Sequence, residues 1–194
     1  VESLLVVDAA GARLQGSRKP FSEWSLHRMA YAARPDIRAV LHAHPPTATG
    51  FAVAGVDLPP PFMTEPVVSL GAGVPSVPWF APGDAAIQAP LAEALAGADA
   101  VLLRNHGVLT VGADLETCFL RMELVEHLCR IALVAAQLGG ARAIPAEDVA
   151  RLLEKRAEAG LGPSAVAPAV APLPVSAPTG DAFSVVADAL RRVR

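Results

Sequence analysis

The sequence predicts one layered domain of the α/β or α+β class, and three observations carry that expectation. The chain has 194 residues, enough for one hydrophobic core and short of the length at which two are usual. Short apolar runs and amphipathic segments interleave along it, so strands and helices should pack as layers. Hydrophobic residues make up 53% of the chain, with alanine a large contributor, which excludes global disorder.

The elements follow in order. Leu4 to Asp8 is a short apolar run, and a turn over Ala9–Ala12 around Gly11 leads into a return strand at Arg13–Leu14. Ser22 to Arg34 reads as a helix, with Ser22 as its cap and Glu23 in its first turn. Trp24, Leu26, Ala30 and Ala33 supply its apolar stripe, and Pro35 stops it. Ile37 to His44 is a strand, followed by Pro45-Pro46 and a small-residue helix over Thr47–Ala54. Proline and glycine dominate from Gly55 to Gly83, with short strands expected at Val67–Leu70 and Val77–Phe80. Asp84–Ala96 is a helix, Ala100–Leu103 a buried strand, and Val108–Val111 its successor after the Asn105-His106-Gly107 turn. Leu115, Cys118, Met122, Val125, Cys129, Ala132 and Ala136 recur at helical spacing behind the cap residue Asp114. Glu123/His127 and Glu126/Arg130 flank that long helix at i,i+4. A further helix covers Glu147–Glu158. The domain is expected over 1–162, a Pro/Ala-rich linker or tail over 163–180, and an amphipathic helix over 181–194 that should dock on something, such as a neighbouring subunit.

Charge and composition exclude several classes. Sixteen basic against 19 acidic residues leave a formal charge of −3, and the basic residues form no run or stripe. A nucleic-acid partner and an anionic membrane surface are therefore not expected. The candidate membrane stretch, 161–180, is broken by prolines, which argue strongly against a spanning helix. Cys118 and Cys129 fall in one helical segment, so reduced, buried thiols are expected rather than a disulfide framework. The chain shows no leader-like segment and opens at Val1 directly into a strand-like run, so its natural start is expected upstream. The expected location is the cytoplasm.

The sharpest chemical signal is His42-Ala43-His44 at the end of a strand. Side chains alternate faces with period two, so both imidazoles project to one side a few ångströms apart. Such a pair suits a divalent ion of zinc, manganese or iron type, although one core and one surface histidine would also satisfy the pattern. His106, on the loop after Ala100–Leu103, is a third candidate, with Gly107 expected to relieve the turn; a histidine bonded to turn backbone is the ordinary alternative. Glu23 heads a helix, where the dipole favours its ionised form and ordinary helix-end electrostatics would account for it. His27, one turn on, could pair with Glu23 or line the same pocket, or lie in a surface pair. Trp24 reads as core, Glu65 follows an apparent turn, and Arg104 either meets an anion or ties down a loop carbonyl. There is no phosphate-binding glycine loop, CxxC pair or Gly-x-Ser-x-Gly elbow.

Four blocks then stand in a recognisable order and spacing: Lys19-Pro20-Phe21-Ser22-Glu23-Trp24, Arg34-Pro35-Asp36, Val40-Leu41-His42-Ala43-His44-Pro45-Pro46, and Asn105-His106-Gly107 running into Val108–Gly112. Together they resemble the class II aldolase/adducin family, of the L-fuculose-phosphate aldolase type, over about Leu4 to Gly139. The resemblance implies a three-layer α/β/α domain with a mainly antiparallel central sheet. It also implies a cyclic homotetramer with active sites between neighbours. His42, His44 and His106 would bind a divalent metal, Zn2+ first and Mn2+ second. Glu23 would be the fourth ligand and the catalytic group, leaving the metal to shuttle a proton. Epimerase-type members carry aspartate there, so Glu23 points toward carbon–carbon lyase chemistry.

Departures from the pattern shape the expected pocket of Phe21, Ser22, His27, Phe62 and Glu65. The family's N-terminal segment, with part of its phosphate site, would precede Val1. Phe21 replaces a serine that would hold phosphate. Phe62 stands near the place of an acid tyrosine, with Glu65 as a substitute acid. The expected function is a metal-dependent aldolase acting on a small hydroxy-carbonyl substrate such as a sugar phosphate. The first alternative is a metal-dependent decarboxylase of hydroxylated aromatic or heteroaromatic acids. A dehydratase, an epimerase and a non-enzymatic adducin-like module follow.

Overall fold

A computed structural model of the chain describes residues 4–81 and 83–163. The linker expected over 163–180, apart from Pro163, and the helix expected over 181–194 lie outside the described residues. In chain order the elements are β1 (Val6–Val7), β2 (Arg13–Gln15), α1 (Trp24–Ala33), β3 (Ala39–Ala43), α2 (Pro46–Ala54), α3 (Thr64–Leu70) and β4 (Ser76–Val77). A 3-10 turn (Ala85–Ile87) leads into α4 (Gln88–Leu95), followed by β5 (Ala100–Leu103), β6 (Gly107–Gly112), α5 (Leu115–Gln137) and α6 (Ala146–Glu158).

The central sheet has four strands in the order β3-β6-β5-β4, and β1 and β2 form a separate ribbon. β6 pairs antiparallel with β3 and with β5, whereas β4 joins β5 in parallel. The sheet is therefore mixed, with antiparallel pairing at two of its three seams. Strands β5 and β6 are buried at every position, as expected of strands covered on both faces. Alternation along them divides the core in two. Val40, Val77, Val101, Leu103, Leu109 and Val111 face Leu26, Met29 and Ala30 of α1 and Leu91 and Leu95 of α4. Ala100, Leu102 and Val108 face Ala48 of α2, Leu70 of α3 and Met122, Val125 and Cys129 of α5. Helices thus cover both faces, and α6 packs on α3. This is the three-layer arrangement that the resemblance implies.

Several local readings change. Val67–Leu70 lies in α3 and not in a strand. Its β-branched Val67-Val68 pair suggested a strand, but Pro66 is tolerated within the first turn of a helix, and burial of Val67 and Leu70 against the core decides the outcome. The strand expected over Val77–Phe80 is confined to Ser76–Val77, where Pro78 has no N–H to continue the ladder. Ser22 does not cap α1; Glu23 occupies the N-cap position and its side chain makes no capping bond. Asp114 does cap α5, accepting from Thr117 N at 2.7 Å.

One buried charge cluster had no sequence signal. Asp99, just before β5, binds Arg34 at 2.9 Å, Arg121 at 2.8 Å and Arg156 as well. Arg34 also holds Asp36 and the carbonyls of Leu95 and Ala98. The cluster ties the C-terminal end of α1, α5 and α6 to the sheet end opposite His42 and His106. Uncompensated charges at such depth would be costly, so the carboxylate and its arginines depend on one another.

Candidate metal centre

The β3–β6 pairing builds the centre. His42 pairs with Leu109 and Ala43 with Val108, so the two histidines of His42-Ala43-His44 leave the same face at the sheet end where β5 turns into β6. Their ring centroids are 4.8 Å apart. His106 lies in that turn, with its ring 4.7 Å from His42 and 5.0 Å from His44. The expected role of Gly107 needs correction: the left-handed residue of the turn is Asn105, with φ 56°. Gly107 is needed for space instead, because a Cβ there would meet the His44 ring and the Ala43 carbonyl oxygen.

The ligand atoms converge. His44 Nε2 lies 3.1 Å from His42 Nε2, which lies 3.3 Å from His106 Nε2. Glu23, reaching over from the start of α1, places Oε1 3.1 Å from His106 Nε2 and Oε2 3.4 Å from His42 Nε2. All four residues offer a ligand atom within 4.8 Å of every other. A divalent ion with bonds of about 2.0–2.1 Å to tetrahedral ligands sets them about 3.3–3.4 Å apart, close to these four separations of 3.1–3.4 Å.

The proton inventory agrees. The Val108 carbonyl can only accept, so His42 donates Nδ1–H to it at 2.8 Å and turns an unprotonated Nε2 to its neighbours. Burial lowers the pKa of His42, helped by the adjacent His106 and His44, against the raising effects of the Val108 bond and Glu23. Burial likewise pushes His27 down to about 4, with His42 adding and Glu23 opposing. Both rings are thus favoured as neutral at ordinary pH.

The remaining expected pocket residues divide. His27 interacts with Glu23 and His42, and Phe21 meets its ring edge-to-face with centroids 5.0 Å apart; neither supplies a ligand atom to the four-residue group. Ser22 is exposed at the entrance to α1, and Trp24 is half-buried with Nε1 unpartnered. Phe62 lies elsewhere in this chain, lining a cavity of about 820 Å3 with Leu58, Met63 and Leu70. Glu65 opens on a separate groove with Pro45 and Glu126. Neither cavity contains a member of the histidine group. Arg104 pairs with Asp57. Phe80, unremarked in the sequence, stands with its ring 5.9 Å from His106.

A family model for the class II aldolase and adducin N-terminal domain matches residues 1–133. The chain belongs to this family. It is 30% identical over 152 residues to a 5-methylthioribulose-1-phosphate/5-deoxyribulose-1-phosphate aldolase of Rhodospirillum rubrum, spanning 78% of this chain and 68% of the relative. It is 32% identical over 151 residues to the 3,4-dihydroxyphthalate decarboxylase of Arthrobacter keyseri, spanning 74% of this chain and 60% of that protein. The solved L-fuculose 1-phosphate aldolase matches with a TM-score of 0.72 at 32% identity, covering 78% of this chain and 70% of the other. These class II aldolase relatives carry the names of lyases, both aldolases and decarboxylases. Divalent-metal dependence belongs to the family, and Glu23, His42, His44 and His106 are a group that could hold such an ion in this member. Among the described residues no helix is long and apolar enough to cross a membrane.

Proposed function

We propose that this class II aldolase family member is a divalent-metal-dependent carbon–carbon lyase acting on a small hydroxy-carbonyl substrate. The convergence of three imidazole Nε2 atoms and the Glu23 carboxylate carries the reading. His42, His44 and His106 would hold the ion, zinc in preference to manganese given three imidazole donors. When bound, an ion held by three neutral imidazoles keeps its charge and supplies Lewis acidity toward the substrate's carbonyl and hydroxyl oxygens.

Glu23 does the proton work. Its side chain is about one-third exposed and is not spent on capping α1, so it can move when substrate arrives. Its carboxylate takes the proton of the hydroxyl on the carbon being released, and that oxygen becomes the aldehyde carbonyl as the carbon–carbon bond breaks. The bonding pair stays on the other fragment's carbon, to which Glu23 returns the proton. His42 is kept in one tautomer throughout by Val108.

Phe21 and Phe80 favour a second substrate class. Phe80 beside His106, and Phe21 against the neighbouring His27, make the approach less polar than a phosphate site would be, which suits decarboxylation of a hydroxylated aromatic or heteroaromatic acid on the same residues. Product analysis separates the readings: aldehyde from a ketose phosphate supports the aldolase, and carbon dioxide from a hydroxylated aromatic acid supports the decarboxylase. Turnover of neither class by zinc-loaded protein overturns both. We place the protein in the cytoplasm as a homotetramer; exposed Leu115, Phe119, Leu120 and Val134 along α5 support self-association. A monomer mass in solution would remove that part.

A further inference from the structure

His44 is exposed, unlike His42, and its ring nitrogen has His42 as its hydrogen-bond neighbour rather than a backbone carbonyl. Something else must fix its place. Its chain continues through Pro45 and Pro46 into α2. Two consecutive prolines fix two φ angles, so the position of Thr47 is transmitted back to His44 with little slack. The first turn of α2 has no capping side chain of its own, because Pro45 occupies the N-cap position.

Glu126, in the middle of α5, fills that gap. Its Oε2 accepts from Thr47 N at 3.0 Å and Ala48 N at 2.9 Å, and its Oε1 accepts from Thr47 Oγ1 at 2.8 Å. Arg130 Nε donates to the same Oε1 at 2.8 Å from the solvent side. The carboxylate is largely buried, its side chain 12% exposed. Burial alone would raise its pKa, but the bonds from Ala48, Thr47 and Arg130 outweigh burial and hold it below the usual range. A charged carboxylate against exposed N–H groups of a helix start is a strong pairing. The i,i+4 pair with Arg130 is thus the lesser part of what Glu126 does.

We propose that Glu126 is a positioning residue of the metal centre: by clamping Thr47 and Ala48 it sets, through Pro45-Pro46, where His44 presents Nε2. The inference rests on the metal reading above and concerns a residue that touches neither metal nor substrate. Glutamine is the informative conservative change. Its oxygen can still accept from Thr47 N and Ala48 N, and its amide can donate to Thr47 Oγ1.

The test is zinc affinity of the purified full chain, measured by competition with a chelating dye. Glu126→Ala should bind zinc about 10–100-fold more weakly, the usual cost of losing an outer-shell partner. Glu126→Gln should recover most of that loss, Thr47→Val should fall between, and Arg130→Ala should match the parent. Val125→Ala, a core change on the same helix, controls for general destabilisation and should leave zinc affinity unaltered. Parent-like affinity in Glu126→Ala, or a loss no greater than in Val125→Ala, overturns the proposal. If Glu126→Ala does not fold, parent-like affinity in Thr47→Val overturns it. A parent chain that takes up zinc, and loses it on His42→Ala but not on Glu126→Ala, defeats this inference alone. A parent chain that takes up no zinc defeats the metal reading and this inference with it.

Discussion

Gly107→Ala is the smallest change that should disable the centre. The added Cβ would lie 2.6 Å from the Ala43 carbonyl oxygen and closer still to the His44 ring. An ordinary carbon–oxygen contact is about 3.3 Å, so about 0.7 Å must be recovered by movement. The Ala43 oxygen belongs to the backbone of a paired strand, and the His44 ring is the softer object. A displacement of that size exceeds the roughly 0.2 Å within which metal–ligand distances are held. Overpacking of this kind costs about 1–3 kcal/mol, and each kcal/mol lowers Tm by about 2–4 °C in a chain of this size. Zinc affinity should fall by about tenfold or more. Chelator competition and thermal unfolding on the same preparation read both quantities. Zinc binding within twofold of the parent, with an unchanged Tm, would refute the steric reasoning and the placement of His44 against Gly107.

Other outcomes follow from the same geometry. Glu23→Gln should keep the metal, held by three imidazoles, while turnover falls by about 10²–10⁴-fold, seen by metal analysis beside steady-state rates; near-normal turnover removes the carboxylate from the mechanism. Asp99→Asn should leave Arg34, Arg121 and Arg156 without their shared carboxylate and cost about 3–5 kcal/mol in a denaturant titration, with zinc affinity of the folded protein unaltered. Burial pushes Cys118 up to about 11 and Cys129 up to about 12, so both thiols stay protonated at pH 8. A soluble disulfide reagent should find neither in the folded chain and both after denaturation; rapid labelling of the native protein contradicts that burial.

The parts of this molecule written in local periodicity were legible without coordinates. Period two placed His42 and His44 on one face, and helical spacing with Asp114 gave α5 almost to the residue. What local pattern cannot carry is who meets whom. Arg34, Asp99, Arg121 and Arg156 lie in separate elements, and only the packed fold brings them together. Glu126 looked like a surface partner of Arg130 because i,i+4 spacing explains that pair, while its bonds to Thr47 cross 79 positions of sequence. Gly107 was expected to supply a backbone angle; Asn105 supplies it, and the glycine makes room for a ring. Phe62 and Glu65 line other cavities within one chain, and the resemblance has the tyrosine at the Phe62 position act across a subunit boundary, which a single chain does not contain.

Anomalous diffraction at the zinc edge from crystals grown with the metal probes the centre most directly. One peak is expected about 2.0–2.1 Å from Nε2 of each of His42, His44 and His106. A map with no peak among the three rings, or with zinc bound elsewhere on the chain, would contradict the assignment.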